Sequence, residues 1–384
     1  MKEIYKIYAS TFFVGLSTAI GAIGTLFYLA NGLNQSQIAL LLSAFMITFA
    51  VCEIPTGGLA DTFGHKASIV WGIIFMALGT LITGLSSSFY LFLLAMIFSA
   101  VGFSLNSGAY SSIIHDILNK INKDNDFMKV QGRMGTCLLV GPLISGPFIS
   151  LLYKYDIRAP FIVSFLFLLI AIIIMSLVKW NFKGNKPSFE SYFKKIKNGS
   201  NSVLKNKRII GLIVVSIGLG FSRSLINQNI TQPLIISYGI DVVLLGSIFA
   251  VISGSEALGS AFSHRLFEKV GKNTSLLSII FVSAILLMLI SQINVAFGLL
   301  PLLLFMLVHT YRDNVITTLY RNETSNEERA TMLSTISFIT YIFIGLMLPF
   351  GGFGLDAFGI KSVLAIMGGL TIIFGIVGFY IYHR

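Results

Sequence analysis

Among the ionisable residues within long apolar runs or near their ends are Glu53, His115, Asp116, Arg223, Glu256, Arg312 and Asp313. At a bilayer centre each charge costs roughly 3 kcal/mol on insertion scales, so such residues face inward and carry function. A carboxylate among them can take up and release a proton. Burial favours its neutral form, and a nearby cation favours its charged form. Asp313, expected near Arg223 or Arg312 in space, is the first candidate for proton coupling. Glu53 and Glu256 are the others, although hydrogen bonding to the ends of neighbouring helices is an equally open role for these two.

Uncharged polar residues gather around the same charges. Arg223, Asn227 and Thr231 repeat at four-residue spacing, with Ser224, Gln228 and Gln232 beside them. Adjacent stripes of this kind make one wet face on an otherwise apolar helix. His309, Arg312, Asp313, Thr317 and Tyr320 share a face of a second helix. As sequence neighbours, Arg312 and Asp313 are expected to point apart, and Asp313 is expected to pair with Arg223. Asn106, Ser107, Tyr110 and Ser111 mark a third helix, and Thr18, Thr25 and Tyr28 a fourth. Tyrosines around a polar cavity suit an amphipathic ligand. The same residue types also serve helix–helix hydrogen bonding.

The elements that must hold these groups follow from composition. Of 384 residues, 55% are hydrophobic and 11% charged. Soluble domains carry about 25% charge, and the mean hydropathy is +0.84. This is a membrane chain that crosses the bilayer many times. A crossing helix needs about 20 apolar residues. Runs of that length number twelve, at about 8–30, 37–60, 68–86, 89–115, 133–153, 159–179, 209–235, 242–263, 274–291, 295–320, 330–350 and 360–382. No period-two alternation persists, which argues against a barrel.

Charge placement gives organisation. The net charge is +11, and nine of the 27 basic residues fall between Lys179 and Arg208. That clustering reads as a cytoplasmic loop, not a nucleic-acid surface, and the remaining basic residues place both termini in the cytoplasm. The loop, 181–206, divides the chain into 1–180 and 207–384. Its Phe189, Tyr192, Phe193 and Ile196 fit either a short amphipathic helix on the inner face or a plain linker. The basic start followed by a long apolar run reads as the first span and not as a cleaved signal. Cys52 and Cys137 sit in apolar runs and read as neither disulfide partners nor metal ligands. Phosphate-loop and zinc-site motifs are missing. No cofactor, no metal, no ATP drive and no enzyme activity are therefore expected.

A local echo points to an internal repeat. The second span ends in EIPTGGLADTFGHKAS, Glu53 to Ser68, and the eighth in EALGSAFSHRLFEKVGKN, Glu256 to Asn273. The first of these, Gly57-Gly58-Leu59-Ala60-Asp61-Thr62-Phe63-Gly64-His65-Lys66, resembles the loop signature between helices 2 and 3 of the major facilitator superfamily. Thr62 and His65 stand where the family often has arginine. Gly141-Pro142-Leu143-Ile144-Ser145-Gly146 is similar to a stretch found in the superfamily's exporting antiporters, with Cys137 and Ser145 in place of glycines. A proline-kinked helix packed through small residues would look the same. Glu53-Ile54-Pro55-Thr56-Gly57 and Arg329-Ala330-Thr331-Met332-Leu333-Ser334 resemble a bacterial drug-efflux branch.

The resemblance covers the whole chain. It implies an all-α membrane protein with twelve transmembrane helices as two six-helix bundles, acting as a secondary transporter by alternating access. It implies a substrate path lined by helices 1, 4, 7 and 10. There Arg223, Asn227, Gln228, Thr231, His309, Arg312, Asp313, Asn106, Tyr110 and Tyr28 are the candidate binding residues. Gly57, Asp61, Gly64, Lys66, Gly141 and Pro142 become candidates for gating. Asp61 would dock on the start of helix 11, where Ser325-Asn326-Glu327-Glu328 has capping-box form. The expected task is export of a small amphipathic compound in exchange for protons, by a monomer in the cell membrane. Proton-linked uptake of a nutrient or organic anion stays open. So does a membrane sensor or immunity protein that binds without transporting.

Overall fold

A computed structural model describes residues 1–180, 203, 205–324 and 329–384; the side chains of 54, 55, 57–62 and 329–331 are outside the description. The central-loop residues Phe189, Tyr192, Phe193 and Ile196 lie outside the described residues, as does the Ser325–Glu328 stretch. The described residues are α-helical almost throughout and include no strand.

The first span, α1, is bent. It runs through Lys2–Ser17, a 3-10 segment Thr18–Ala22 and Gly24–Ala30, with a 50° turn at the break. Then follow α2, Gln35–Phe63, and α3, His65–Leu85. The fourth span, α4, consists of Phe89–Asn106 and Ala109–Lys120. Next come α5, Phe127–Tyr155, and α6, Ala159–Ser176. The seventh span, α7, passes from Lys207–Leu225 through a π-helical turn, Ile226–Ile230, into Thr231–Ser237. The last are α8, Leu245–Val270, α9, Lys272–Gln292, and α10, Leu299–Asn322, then Arg329–His383. The last stretch turns at Gly359 (φ 74°, ψ 169°). Each side of that turn exceeds the roughly 20 residues a crossing needs, so it supplies α11 and α12. With the bent α1 counted once and the last stretch read as two, the described residues supply twelve helices long and apolar enough to cross a membrane, the number expected from the hydropathy pattern.

Sharp reversals between helices use glycine. Gly64, before α3, has φ 92°, and Gly271, before α9, has φ 81°. Both lie in the left-handed region that disfavours a Cβ. They lie 11 residues after Glu53 and 15 after Glu256, so what repeats is the positive-φ glycine before the following helix and not the residue register.

The chain divides into two compact units. One gathers Met1–Asn31, the described residues from Ala44 onward in the first half, and Val242–Phe249. Its core packs Ile4, Ile7, Ile69, Ile73, Ile113 and Ile114, all fully buried. Here α1 and α5 touch backbone to backbone: a Cβ on Gly141 would stand 2.5 Å from the Leu16 nitrogen. Ser145 Oγ donates to the Leu16 carbonyl at 2.8 Å. Lys6 Nζ and Lys66 Nζ donate to the carbonyls of Leu177 (2.9 Å) and Ser176 (2.8 Å) at the end of α6. Cations at that end also meet the negative pole of the helix dipole.

The other unit gathers Gly32–Ser43, the described residues from Val203 to Asp241, and Ala250–Arg384. Within it the start of α2 fits closely against α11. A Cβ on Gly352 would come within 2.5 Å of Ala39 Cβ and 2.7 Å of the Gln35 carbonyl oxygen. Ser43 Oγ donates to the Gly345 carbonyl at 2.6 Å. The first amides of α2 are all satisfied. Asn34 Oδ1 accepts from Gln37 N at 2.8 Å, in a capping box completed by Gln37 Oε1. The carboxylate of Asp356 accepts from Gln35 N at 3.0 Å and Ser36 N at 2.8 Å. Those are the donors a helix start leaves without intrahelical partners.

Large apolar side chains such as Phe63, Tyr90, Phe297, Phe350 and Phe353 are exposed. In water they would drive aggregation; such a surface suits lipid.

Candidate functional site

A cavity of about 620 Å³ opens within the second unit. Three helices supply its chemistry. From α7 come Ser216, Gly220, Arg223 and Ser224; from α10, Arg312, Asp313, Ile316, Thr317 and Tyr320. From α11 come Leu333, Ile336, Ser337, Thr340, Tyr341 and Ile344. One wall is therefore uncharged and partly apolar, and the other ionised.

The ionised wall is one connected network. Arg223 Nη1 donates to Asp313 Oδ2 at 3.0 Å, and its Nη2 donates to Glu256 Oε1 at 2.7 Å. Asp313 Oδ1 accepts from Arg312 Nη2. Two guanidinium groups and two carboxylates thus cancel in formal charge. Arg223 uses both terminal nitrogens and sits between two carboxylates. Arg312 is only 8% exposed, and its Nε has no hydrogen-bond partner. Gly220 makes room for the α11 wall: a Cβ there would come 2.6 Å from Ile344 Cδ1.

Two expectations need correcting. Arg312 and Asp313 do touch, because a long guanidinium stem can fold back along its own helix to a neighbour whose Cα vector diverges from its own. The wet stripe of α7 is also interrupted. The π turn Ile226–Ile230 adds a residue to one helical turn, and Thr231 Oγ1 donates to the Ile226 carbonyl at 2.8 Å, five residues back. Beyond it the four-residue spacing no longer continues the face of Arg223. Arg223 and Ser224 reach the cavity, whereas Asn227, Gln228 and Thr231 are not among its lining residues. Thr231 and Gln232 are buried. Such π turns recur at functional sites.

The other candidate residues are spread more widely. His309 lies one turn before Asp313, fully buried, stacked on Phe305 with ring centres 4.2 Å apart. Neither of its ring nitrogens has a hydrogen-bond partner. Tyr28 is buried in an aromatic cluster, edge-on to Phe92 at 5.0 Å. Asn106 packs against α3, its Nδ2 3.4 Å from the Met76 sulfur. Tyr110 packs against the core of the first unit. Glu53 accepts from Ser107 Oγ at 3.2 Å, so the two echoing glutamates have different partners. Of the gating candidates, Gly64 forms a reversal, Lys66 caps α6, and Gly141 with Pro142 lies where α5 meets α1. The side chains at Gly57 and Asp61 are outside the description. Among the described residues no cluster of His, Cys, Asp or Glu could hold a metal ion.

Sequence reasoning missed the wall from α11. Its signal was present: Ser337, Thr340, Tyr341 and Ile344 stand at helical i, i+3, i+4, i+7 spacing, which puts them on one face.

An all-helical membrane fold with an ionised cavity fits a membrane transporter. The chain belongs to the Major Facilitator Superfamily, whose model matches residues 7–322. An uncharacterized MFS-type transporter of Methanocaldococcus jannaschii, MJ1560, is 26% identical over 98% of this chain and 97% of its own. The quinolone resistance protein NorA of Staphylococcus aureus is 24% identical over 73% of this chain and 70% of its own. Among solved structures, the nucleoside transporter NupG superposes with a TM-score of 0.83 at 13% identity, covering 100% of both chains. A bacterial homologue of the lysosomal transporter Spinster gives 0.75 at 16% identity, covering 100% of this chain and 96% of the other. These superpositions speak for the fold. The protein is a multi-pass membrane transporter of the superfamily.

Proposed function

We propose that this transporter exports small amphipathic compounds in exchange for protons, by alternating access around the cavity bounded by α7, α10 and α11. The observation that carries the reading is Arg223 held by two carboxylates at once. A cation shared in this way keeps one partner when a proton neutralises the other. That is what a proton-driven carrier needs from a group in low dielectric, where unpaired charge is expensive. Asp313 faces the cavity and Glu256 stands behind Arg223, so Asp313 exchanges the proton and Glu256 holds the arginine. The apolar wall of Leu333, Ile336 and Ile344 gives an amphipathic solute its other surface. Likeness to NorA and to the antiporter stretch at Gly141-Pro142 supports outward movement. In this reading the chain works as a monomer in the cell membrane with both termini in the cytoplasm.

The test is accumulation of fluorescent amphipathic compounds in an efflux-deficient bacterium expressing the chain. Accumulation is expected to fall, a protonophore to restore it, and Asp313→Asn to restore it without loss of protein from the membrane. Unchanged accumulation across neutral, cationic and zwitterionic compounds would overturn export.

A further inference from the structure

The two arginines of the cavity are used differently. Arg223 spends both terminal nitrogens on carboxylates. Arg312 has five N–H donors, and among the described residues its one hydrogen-bond acceptor is an oxygen of Asp313. It is nevertheless the more buried of the two, with a side chain 10% exposed against 26%. A guanidinium withdrawn from water with donors in surplus is set up for a further oxoanion, which it binds through paired parallel N–H bonds. Asp313 shows the opposite surplus. Its carboxylate has about four lone-pair sites, two of them used, and its side chain is 49% exposed. It offers acceptors to a cation arriving through the cavity.

An anion alone would add uncompensated negative charge beside Asp313 and Glu256. A cation alone would meet Arg223 and Arg312. An uncharged solute and a zwitterion both leave the network neutral, but only the zwitterion also uses the spare donors of Arg312 and the spare acceptors of Asp313.

We infer that the transported compounds are amphipathic zwitterions, whose carboxylate docks on Arg312 and whose ammonium docks on Asp313, with the apolar body against Ile336 and Ile344. This rests on the reading of the cavity as the substrate site. It also explains the exchange with protons: an ammonium and a proton compete for the same carboxylate. The charged groups facing Asp313 are Arg312 from its own helix and Arg223 from α7, which Glu256 of α8 holds in turn. His309 lies one turn away. The face of α11 on the cavity is uncharged.

The experiment uses the full chain, purified and reconstituted, with four forms of one probe. These are 2-naphthylalanine, its methyl ester, its N-acetyl derivative and its N-acetyl methyl ester, which are zwitterion, cation, anion and neutral. Binding is read by ligand-induced shift of the melting temperature and by fluorescence titration. The zwitterion is expected to bind at least about tenfold more tightly than each of the others, the effect of losing one charged hydrogen-bond partner. Arg312→Gln should erase the difference between the amino acid and its ester. Asp313→Asn should erase the difference between the amino acid and its N-acetyl form. Equal or better binding of the ester or the N-acetyl form by the parent protein would overturn the inference, as would binding of none of the four. The parent series decides even if a variant does not fold. Uptake into everted vesicles with an acid interior separates the two levels. Selective binding of the zwitterion without such uptake removes proton-driven export and keeps the ligand class. Uptake of the ester in preference to the zwitterion does the reverse.

Discussion

Replacing Arg223 with glutamine is expected to abolish transport and to destabilise the second unit. The side chain joins Glu256 and Asp313, which lie 33 and 90 residues away in sequence. Without it two carboxylates share one partner, Arg312, and only Asp313 touches that. Breaking a buried ion pair by removing one member costs about 3–5 kcal/mol. Arg223 is a quarter exposed, so the lower end, about 3 kcal/mol, is expected. That corresponds to roughly a hundredfold loss of the assembled network. Thermal unfolding of the purified protein measures the first effect and vesicle uptake the second. The double variant Arg223→Gln/Glu256→Gln separates them. It removes the stranded charge, so the melting temperature should recover, while transport stays absent. Recovery of both would mean that Arg223 only packs, and that coupling resides elsewhere.

The second large effect is steric. In the first unit the start of α8 meets α5 with no side chain between them. A Cβ on Gly246 would overlap the Gly146 carbonyl and come within 2.7 Å of the Pro147 nitrogen. Gly246 N also donates to Ser150 Oγ at 2.8 Å. Gly246→Ala is therefore expected to break this seam and to stop transport. The sign is the reverse of the usual one, since alanine in a helix is favoured over glycine by about 1 kcal/mol. Gly254, on the same helix, has nothing within 4 Å of an added Cβ. Gly254→Ala should leave transport and stability intact or slightly improved. In a background freed of Cys52 and Cys137, cysteine at position 150 should react slowly with maleimide in the parent and quickly in Gly246→Ala. Slow labelling in both would show that the seam tolerates a methyl group.

How far the sequence carried these conclusions differs by residue. Hydropathy places the twelve crossings, because burial of backbone polar groups in lipid leaves helices few alternatives. The pairing of Arg223 with Asp313 was legible from cost alone: two opposite charges in apolar runs are expensive apart. Glu256 as the other partner of Arg223 was not, because nothing local distinguishes it from Glu53, which bonds Ser107 instead. The π turn in α7 had a marker: Pro233 has no N–H for the Asn229 carbonyl four residues back and its ring crowds that carbonyl. The stripe through Asn227 and Thr231 read as continuous because spacing alone takes no account of that proline. The α11 wall has ordinary serine, threonine and tyrosine, which become informative only once α10 is known to lie opposite.

Asp356 has a bearing on how the protein is made. It supplies acceptors for the first amides of α2 from 320 and 321 residues further along the chain. Synthesis proceeds from the N-terminus at about 5–20 residues per second, so α2 waits tens of seconds for that carboxylate. During the wait Asn34 and Gln37 alone hold its first turn. A ribosome product that stops short of Asp356 has an unfinished beginning as well as a missing end, and the cell's proteases would meet the defect near residue 35.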